Sequence, residues 1–144
     1  DTNSIVVNET LQEDGLTFTA QNLTVTPMSF ILSYETSVTA GLSNQWDNIF
    51  VSVDIEDDLG NKYTSLNGLN HGSRTDFTEN WLATYDQLDA RAKAIYLTPI
   101  VTLTENDIID VDKDGNLVKA NYRSINSDSP SKQVRLDPIK VQIQ

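Results

Sequence analysis

The sequence predicts an all-β sandwich of roughly eight to ten short antiparallel strands in one domain, residues 1–144. Three observations carry that expectation. Apolar and polar residues alternate with a period of two along most of the chain, the pattern of strands with one buried and one wet face. Clusters of Gly, Asn, Asp and Ser punctuate those runs where tight turns are needed. A helical period is confined to one segment, so at most one short helix is expected.

The run "SIVVNE" opens the chain as a strand and is followed by the turn signal Glu13-Asp14-Gly15. In "LTFTAQNLTV", Leu16, Phe18 and Ala20 share a face before the phase shifts to Leu23 and Val25, so a bulge is expected near Gln21-Asn22. "SFILSYETSV" sets Phe30, Leu32, Tyr34 and Val38 against Ser29, Ser33, Glu35 and Ser37. "IFVSVDIE" repeats the pattern with Ile49, Val51, Val53 and Ile55. "SLNGLNHGSRTD" reads as an exposed connection, and "RSINSDSPSK" as another before the last strand. "TENWLATYDQLDARAKAI" is ambiguous: Thr78 is a potential helix cap, and Trp81, Leu82, Tyr85 and Leu88 fit a helical stripe. It is read as a strand through Trp81 to Tyr85 and a short helical turn around Leu88 to Lys93. "AIYLTPIVTL" places Ile95, Leu97, Val101 and Leu103 together, and its Pro99 suggests an edge strand or a bulge. "IKVQIQ" closes the chain with Ile139, Val141 and Ile143 facing in.

One stretch offers chemistry. In "IIDVDKDGNLVKA", Asp110, Asp112, Asp114 and Gly115 fill positions 1, 3, 5 and 6 of a calcium loop, and Leu117 supplies the apolar residue at 8. The bidentate carboxylate due at position 12 is replaced by Asn121, and the flanks resemble strands rather than helices. "VDIEDDLGNKYTSL" is a near echo, with Asp58-Leu59-Gly60-Asn61 between two alternating runs. Asp-x-Gly-Asn suits a hairpin turn because Gly and Asn accept left-handed backbone. The stretch is therefore read as a hairpin, with calcium held by Asp110, Asp112 and Asp114 as the alternative; no other cofactor is expected.

Composition narrows the rest. With 144 residues and 38% hydrophobic content the chain is long and apolar enough to bury a core. There is no apolar run near the roughly 18 residues that span a bilayer, and the opening "DTNS" reads as a boundary inside a longer protein. Without cysteine, the chain holds no disulfide, thiolate nucleophile or thiolate metal site. Cytoplasmic proteins and cell-surface proteins of Gram-positive bacteria both suit that composition. The net charge is −11, and residues 1–61 hold ten acids and no Lys or Arg. Such a surface repels phosphate backbones, so nucleic acid is excluded as an expected partner.

No catalytic constellation stands out. His71 is the single histidine; Ser73 is its sequence neighbour, which rarely gives triad geometry, and the nucleophile elbow G-x-S-x-G is missing. No two of the 21 acids are singled out as a glycosidase pair. Trp46, Trp81, Tyr63, Tyr85, Tyr96 and Tyr122 would make a carbohydrate platform if several were exposed on one face, but aromatic bulk in a sandwich usually fills the core. Asn8-Glu9-Thr10 and Asn22-Leu23-Thr24 are glycosylation tripeptides of a kind that chance supplies freely. The chain is read as a non-enzyme and a monomer.

The N-terminal third resembles the immunoglobulin-like extracellular domains of Gram-positive membrane proteins that pair with an anti-sigma-factor-type N-terminal region. The resemblance rests on Asn8 to Thr10, on the G-x-T-x-T strand at Gly15 to Thr19, and on the aliphatic-x-Tyr at Leu32 to Tyr34. Later echoes are D-x-x-G-N-x-Y at Asp57 to Tyr63 and "IYLTPIVTL" at 95–103. It implies an immunoglobulin-like sandwich on the outer surface of a Gram-positive cell, anchored to the membrane through regions outside this chain. It carries no site residues. Two functions follow as expectations: an extracytoplasmic interaction or sensing domain of a membrane-anchored regulator, and alternatively a wall-associated adhesion or carbohydrate-binding module stiffened by calcium.

Overall fold

The first alternating run extends further than "SIVVNE". Strand β1 covers Asn3–Glu13 and turns through Asp14 (φ 42°) and Gly15 (φ 90°) into β2, Leu16–Val25. Two successive positive φ values are what a two-residue hairpin demands, which explains Asp-Gly at this point. The computed structural model describes residues 2–46, 48–65, 71–75, 77–104, 109–111, 113–115, 117–119 and 131–144, with backbone alone at 45, 71–75, 109–111 and 117–119. The remaining strands are β3 (Phe30–Val38), β4 (Asn48–Asp57), β5 (Lys62–Tyr63), β6 (His71–Thr75), β7 (Thr78–Tyr85), β8 (Ala94–Thr104), β9 (Ile109–Val111), β10 (Leu117–Lys119), β11 (Ser131–Arg135) and β12 (Ile139–Gln142). Helix α1 spans Ala40–Gln45.

The strands form two antiparallel sheets and a separate β9–β10 hairpin. The first sheet runs β1-β2-β3-β7-β6, and the second runs β11-β8-β4-β5, with β12 also paired to β8. β11 and β12 lie on the same edge of β8, against Ile100–Thr104 and Ala94–Leu97 respectively, and act as one strand interrupted at Leu136–Pro138. Taken as A to G in chain order, β2, β3, β4, β6, β7, β8 and the β11–β12 pair give A-B-E-D in one sheet and C-F-G in the other. That is the strand order of an immunoglobulin constant-type domain; β1 is added outside A, and β5 beside C. The fold is an all-β sandwich, as the alternation predicts.

The alternating residues face where their period puts them. Phe18, Ala20, Leu23, Phe30, Leu32, Tyr34, Val51, Val53, Ile55, Ile95, Leu97, Val101, Leu103, Ile139 and Val141 are all buried between the sheets. Gln21 is the extra residue of the expected bulge, because Ala20 pairs with Tyr34 while Asn22 pairs with Ser33. β1 has its own irregularity between Val6 and Glu9, where Asn8 takes φ 47°. Two aromatic stacks lie within the first sheet between cross-strand partners of β3 and β7, Tyr34 on Trp81 (centroids 5.8 Å apart) and Phe30 on Tyr85 (5.0 Å). Edge-on contacts of Phe50 with Trp81 (5.4 Å) and of Tyr63 with Phe30 (5.3 Å) cross to the second sheet.

Four expectations need correction. Leu88 to Lys93 is not helical: Asp89 accepts from the Arg91 N–H at 2.9 Å and its carbonyl from the Ala92 N–H at 3.0 Å, so side chain and backbone close a turn instead. The helix lies at Ala40–Gln45, capped by Thr39, whose hydroxyl accepts from the Leu42 N–H. "SLNGLNHGSRTD" is not all connection, because His71–Thr75 forms β6 along the β7 edge; residues 66–70 lie outside the described set. Pro99 sits in β8, a strand paired on both edges. Its carbonyl accepts from Leu136 N–H at 2.9 Å, so its nitrogen faces the gap between β11 and β12, where a missing N–H costs no ladder bond.

Candidate functional site

Strand register defines the two ends of the sandwich. Asn3 pairs with Val25 and Gln142 with Ala94, so both ends of the chain emerge beside the β2–β3 and β7–β8 connections. At the opposite end, Glu13 pairs with Leu16, Leu16 with Val38, Thr75 with Thr78, Asn48 with Thr104 and Ser131 with Thr104. That end, the tip, gathers the β1–β2 turn, helix α1, and Thr104 and Ser131, between which the chain runs from β8 to β11. In immunoglobulin-type domains the equivalent B–C and F–G connections cluster together.

An apolar pocket of about 280 Å³ opens at the tip. Its walls are Leu16, Leu42, Trp46, Val101, Leu103, Val134 and Leu136, and its rim carries Glu13, Asp14 and Lys132. The local cause is the seating of α1. Thr39 N–H donates to the Gly15 carbonyl at 2.9 Å, and a Cβ on Gly15 would stand 2.8 Å from Thr39 Oγ1. Gly15 therefore serves both the left-handed turn and the close approach of the helix cap. α1 and its C-cap bring Leu42 and Trp46 against the core, both half-buried, and the two line the pocket together with Val134 and Leu136 of the β11 side. The inward face of β11 is uncovered by degrees toward the tip: Leu136 buried, Val134 half-buried, Lys132 exposed.

A polar network occupies the other end. Asp57 continues the inward series Val51, Val53, Ile55 and is itself buried. Its Oδ1 accepts from the N–H groups of Leu59 and Asn61, both at 2.9 Å. Its Oδ2 accepts from Asn61 Nδ2 and the Tyr63 hydroxyl, both at 2.8 Å. Burial pushes this carboxyl up, but the hydrogen bonds from the Asn61 side chain, Tyr63 and the two backbone N–H groups together hold it below its ordinary value. Burial raises the Tyr63 phenol, whose oxygen accepts from Asp89 N–H at 3.0 Å. The side-chain and backbone hydrogen bonds of Arg91 lower Asp89 to about 2. This constellation closes the β4–β5 hairpin onto the Asp86–Arg91 segment; its carboxylate is fully engaged as an acceptor in holding the turn.

The hairpin reading of "DVDKDGN" holds in the backbone. Val111 pairs with Leu117, Asp110 with Val118, and Gly115 takes φ 84°. Of the three candidate ligands, Asp110 lies in β9 by backbone alone, Asp112 lies outside the described residues, and Asp114 is exposed in the turn. Among the described residues no three His, Asp or Glu side chains converge as a metal site, and no helix is long and apolar enough to cross a membrane. The aromatic platform does not form from the residues considered: Trp81, Tyr63 and Tyr85 are buried, Trp46 and Tyr96 are half-buried, and Tyr122 lies outside the described set. His71 belongs to the edge strand β6 by its backbone. Neither the pocket nor the Asp57 network was singled out by the sequence, although D-x-x-G-N-x-Y marks three of the network's residues.

A model described as "Family of unknown function (DUF5643)" matches residues 2–143. No curated protein matches. Among solved structures the chain is similar to "the conserved domain protein from Bacillus anthracis", with 25% identity and a TM-score of 0.69. The match covers 95% of this chain and 49% of that one, so the chain spans about half that protein's length.

Proposed function

Since the chain belongs to DUF5643, a family of unknown function matching it from residue 2 to 143, we propose that it is a non-catalytic extracytoplasmic interaction or sensing domain of a membrane-anchored, anti-sigma-factor-like regulator. The domain works as a monomer at the surface of a Gram-positive cell and reads a protein or envelope ligand; the similarity to a Bacillus protein is in keeping with that source. One observation carries the reading. The end of the sandwich opposite both chain ends holds α1, the attachment points Thr104 and Ser131 of the β8–β11 connection, and an open apolar pocket of about 280 Å³. Recognition surfaces of immunoglobulin-type domains are built from the same connections.

Residues 1–144 hold no cysteine, which supplies the test. In the full-length protein, with any cysteine outside these residues replaced by serine, Asn44→Cys puts one thiol on the exposed face of α1. A membrane-impermeant maleimide should label it on intact cells. Labelling only after lysis would overturn the location. In-frame deletion of the domain should change transcription of the genes that respond to deletion of the whole protein; an unchanged profile would overturn the regulatory role.

The adhesion reading draws on a second depression, of about 530 Å³, where half-buried Tyr96 lies among Asp54, Glu56, Lys62 and Arg135 on the outer side of the second sheet. A ring edged by charged donors and acceptors is a carbohydrate subsite in outline. Titration of soluble wall polysaccharide against Tyr96→Ala would favour this reading if binding were saturable and lost in the variant.

A further inference from the structure

We propose that the free edge of β11 and the tip pocket beneath it dock an extended peptide, which adds to the second sheet as a further strand and lowers one large apolar side chain, flanked by Lys or Arg, into the pocket. The proposal names the partner chemistry for the tip, and so rests on the reading of this domain as an interaction module.

Backbone direction is the first argument. Leu136 N–H donates to Pro99 at 2.9 Å, and the period of two gives Val134 and Lys132 the same orientation toward β8. Ser131, Gln133 and Arg135 therefore turn their N–H and C=O groups outward. Among the described residues no strand pairs with that edge. β11 also keeps an unbroken register from Ser131 to Arg135, whereas the outer strand of the first sheet, β1, is interrupted by its irregularity at Val6 to Glu9. Interruptions of that kind protect an edge from pairing, and β11 has none.

The second argument is where an added strand would point. Its inward residues share the face of Val134 and Lys132, which is the face that lines the pocket. Backbone pairing then supplies affinity, and the pocket selects one side chain in alternation, as in other sheet-edge recognition. A volume of about 280 Å³ lies just below the usual range for small-molecule sites, roughly 300–1,000 Å³. It suits one leucine- or phenylalanine-sized group better than a whole ligand.

Charge gives the flanks. Glu13 and Asp14 stand on the rim of the first-sheet wall, against Lys132 alone on the rim at β11. Residues 1–61, which include that wall, hold ten acids and no Lys or Arg. A cationic residue beside the apolar anchor is attracted to that wall, and an anionic one is repelled.

The test uses the purified chain and a displayed library of short random peptides, followed by synthesis of the best binder. Selected peptides should share one apolar position with Lys or Arg nearby, and should shift the amide resonances of Leu42, Trp46 and Val134. Val134→Phe fills the pocket with the chain's own side chain. Gln133→Pro removes an outward N–H without touching the β8 ladder. Val134→Phe should weaken binding at least about tenfold, the effect of excluding one apolar side chain from the pocket, and Gln133→Pro about tenfold, the effect of one lost backbone hydrogen bond, while thermal melts confirm the fold. The proposal is overturned if no peptide is selected, if selected peptides lack a shared apolar anchor, or if both variants bind as well as the parent. Concentration-dependent dimers broken by Gln133→Pro would also overturn it, by making a second copy the occupant. None of these outcomes alters the surface-labelling result, so the two readings fail separately.

Discussion

Two tyrosines from the first sheet complete the hydrogen bonding of a strand in the second, and removing their hydroxyls tests how the layers are joined. Among the described residues β5 covers β4 only at Ile55 and Glu56, so the carbonyls of Val51 and Val53 point from β4 toward an edge where no described strand pairs with them. Tyr34 donates to the Val51 carbonyl at 2.6 Å and Tyr85 to the Val53 carbonyl at 2.8 Å. In Tyr34→Phe and Tyr85→Phe the ring stacks on Trp81 and Phe30 survive, which isolates the hydroxyl. A buried acceptor left without a partner costs about 1–3 kcal/mol, so each variant should lose about 1.5 kcal/mol and the pair about 3 kcal/mol if the two carbonyls act independently. For a domain of this size that is a fall in Tm of about 3 °C per kcal/mol. Urea denaturation followed by circular dichroism reads the loss directly, with an unchanged slope. Values within about 0.3 kcal/mol of the parent for both variants would refute the reasoning, since water would then be reaching those carbonyls. An alkaline series adds a sign. Burial raises the Tyr85 phenol above its ordinary value, so its contribution is present below the unfolded pKa of about 10 and is lost as pH rises beyond it. Tyr85→Phe should start lower and decline less steeply there.

Gly15→Ala should cost about 2 kcal/mol, combining a left-handed φ with displacement of the Thr39 cap; Gly60→Ala and Gly115→Ala, whose Cβ atoms would meet open space, should cost about 1 kcal/mol. Chevron or equilibrium melts of the three decide whether the helix seat matters. The depressed carboxyls of Asp57 and Asp89 contribute stability above the unfolded value of about 3.9 and lose it as pH falls toward 2, so Asp89→Asn should flatten the acid arm of a Tm profile. Millimolar calcium should raise Tm by no more than about a degree, in keeping with weak occupancy; saturable stabilisation abolished by Asp112→Asn would make the β9–β10 hairpin a metal site. A low-salt mobility shift should show no complex with DNA or RNA, and salt-sensitive binding would contradict the charge argument.

The core was legible because alternation records burial directly: Phe30, Leu32 and Tyr34 face inward for the reason that they recur every second residue. What escaped depends on distant partners. Pro99 argued for an edge strand until the β11–β12 interruption supplied a gap for its nitrogen, and nothing within ten residues of Pro99 announces that gap. β6 carries His71, Gly72 and Ser73 with no apolar rhythm, since an edge strand needs only its backbone to pair. α1 contains Gly41, Ser43 and Asn44, poor helix formers; its signals were Thr39 as a cap and the i, i+4 spacing of Leu42 and Trp46. The tip pocket draws its walls from four separated stretches, each of which reads alone as ordinary core. Asp57 was within reach: continuing Val51, Val53 and Ile55 by one step places a carboxylate inside, where only a dedicated set of donors can hold it.

The two chain ends leaving side by side also decide how the sandwich meets a mechanical load. Asn3 begins β1 at the same end at which Gln142 finishes β12. A pull between them opens β1 from β2 and β12 from β8 at their outermost pairs, so that hydrogen bonds break one after another. Shear geometry, in which a whole ladder must fail at once, would require the force to enter at opposite ends of paired strands. Tension carried through its two ends would therefore peel this domain apart at low force, while a push or a contact at the tip is borne by the whole packed core.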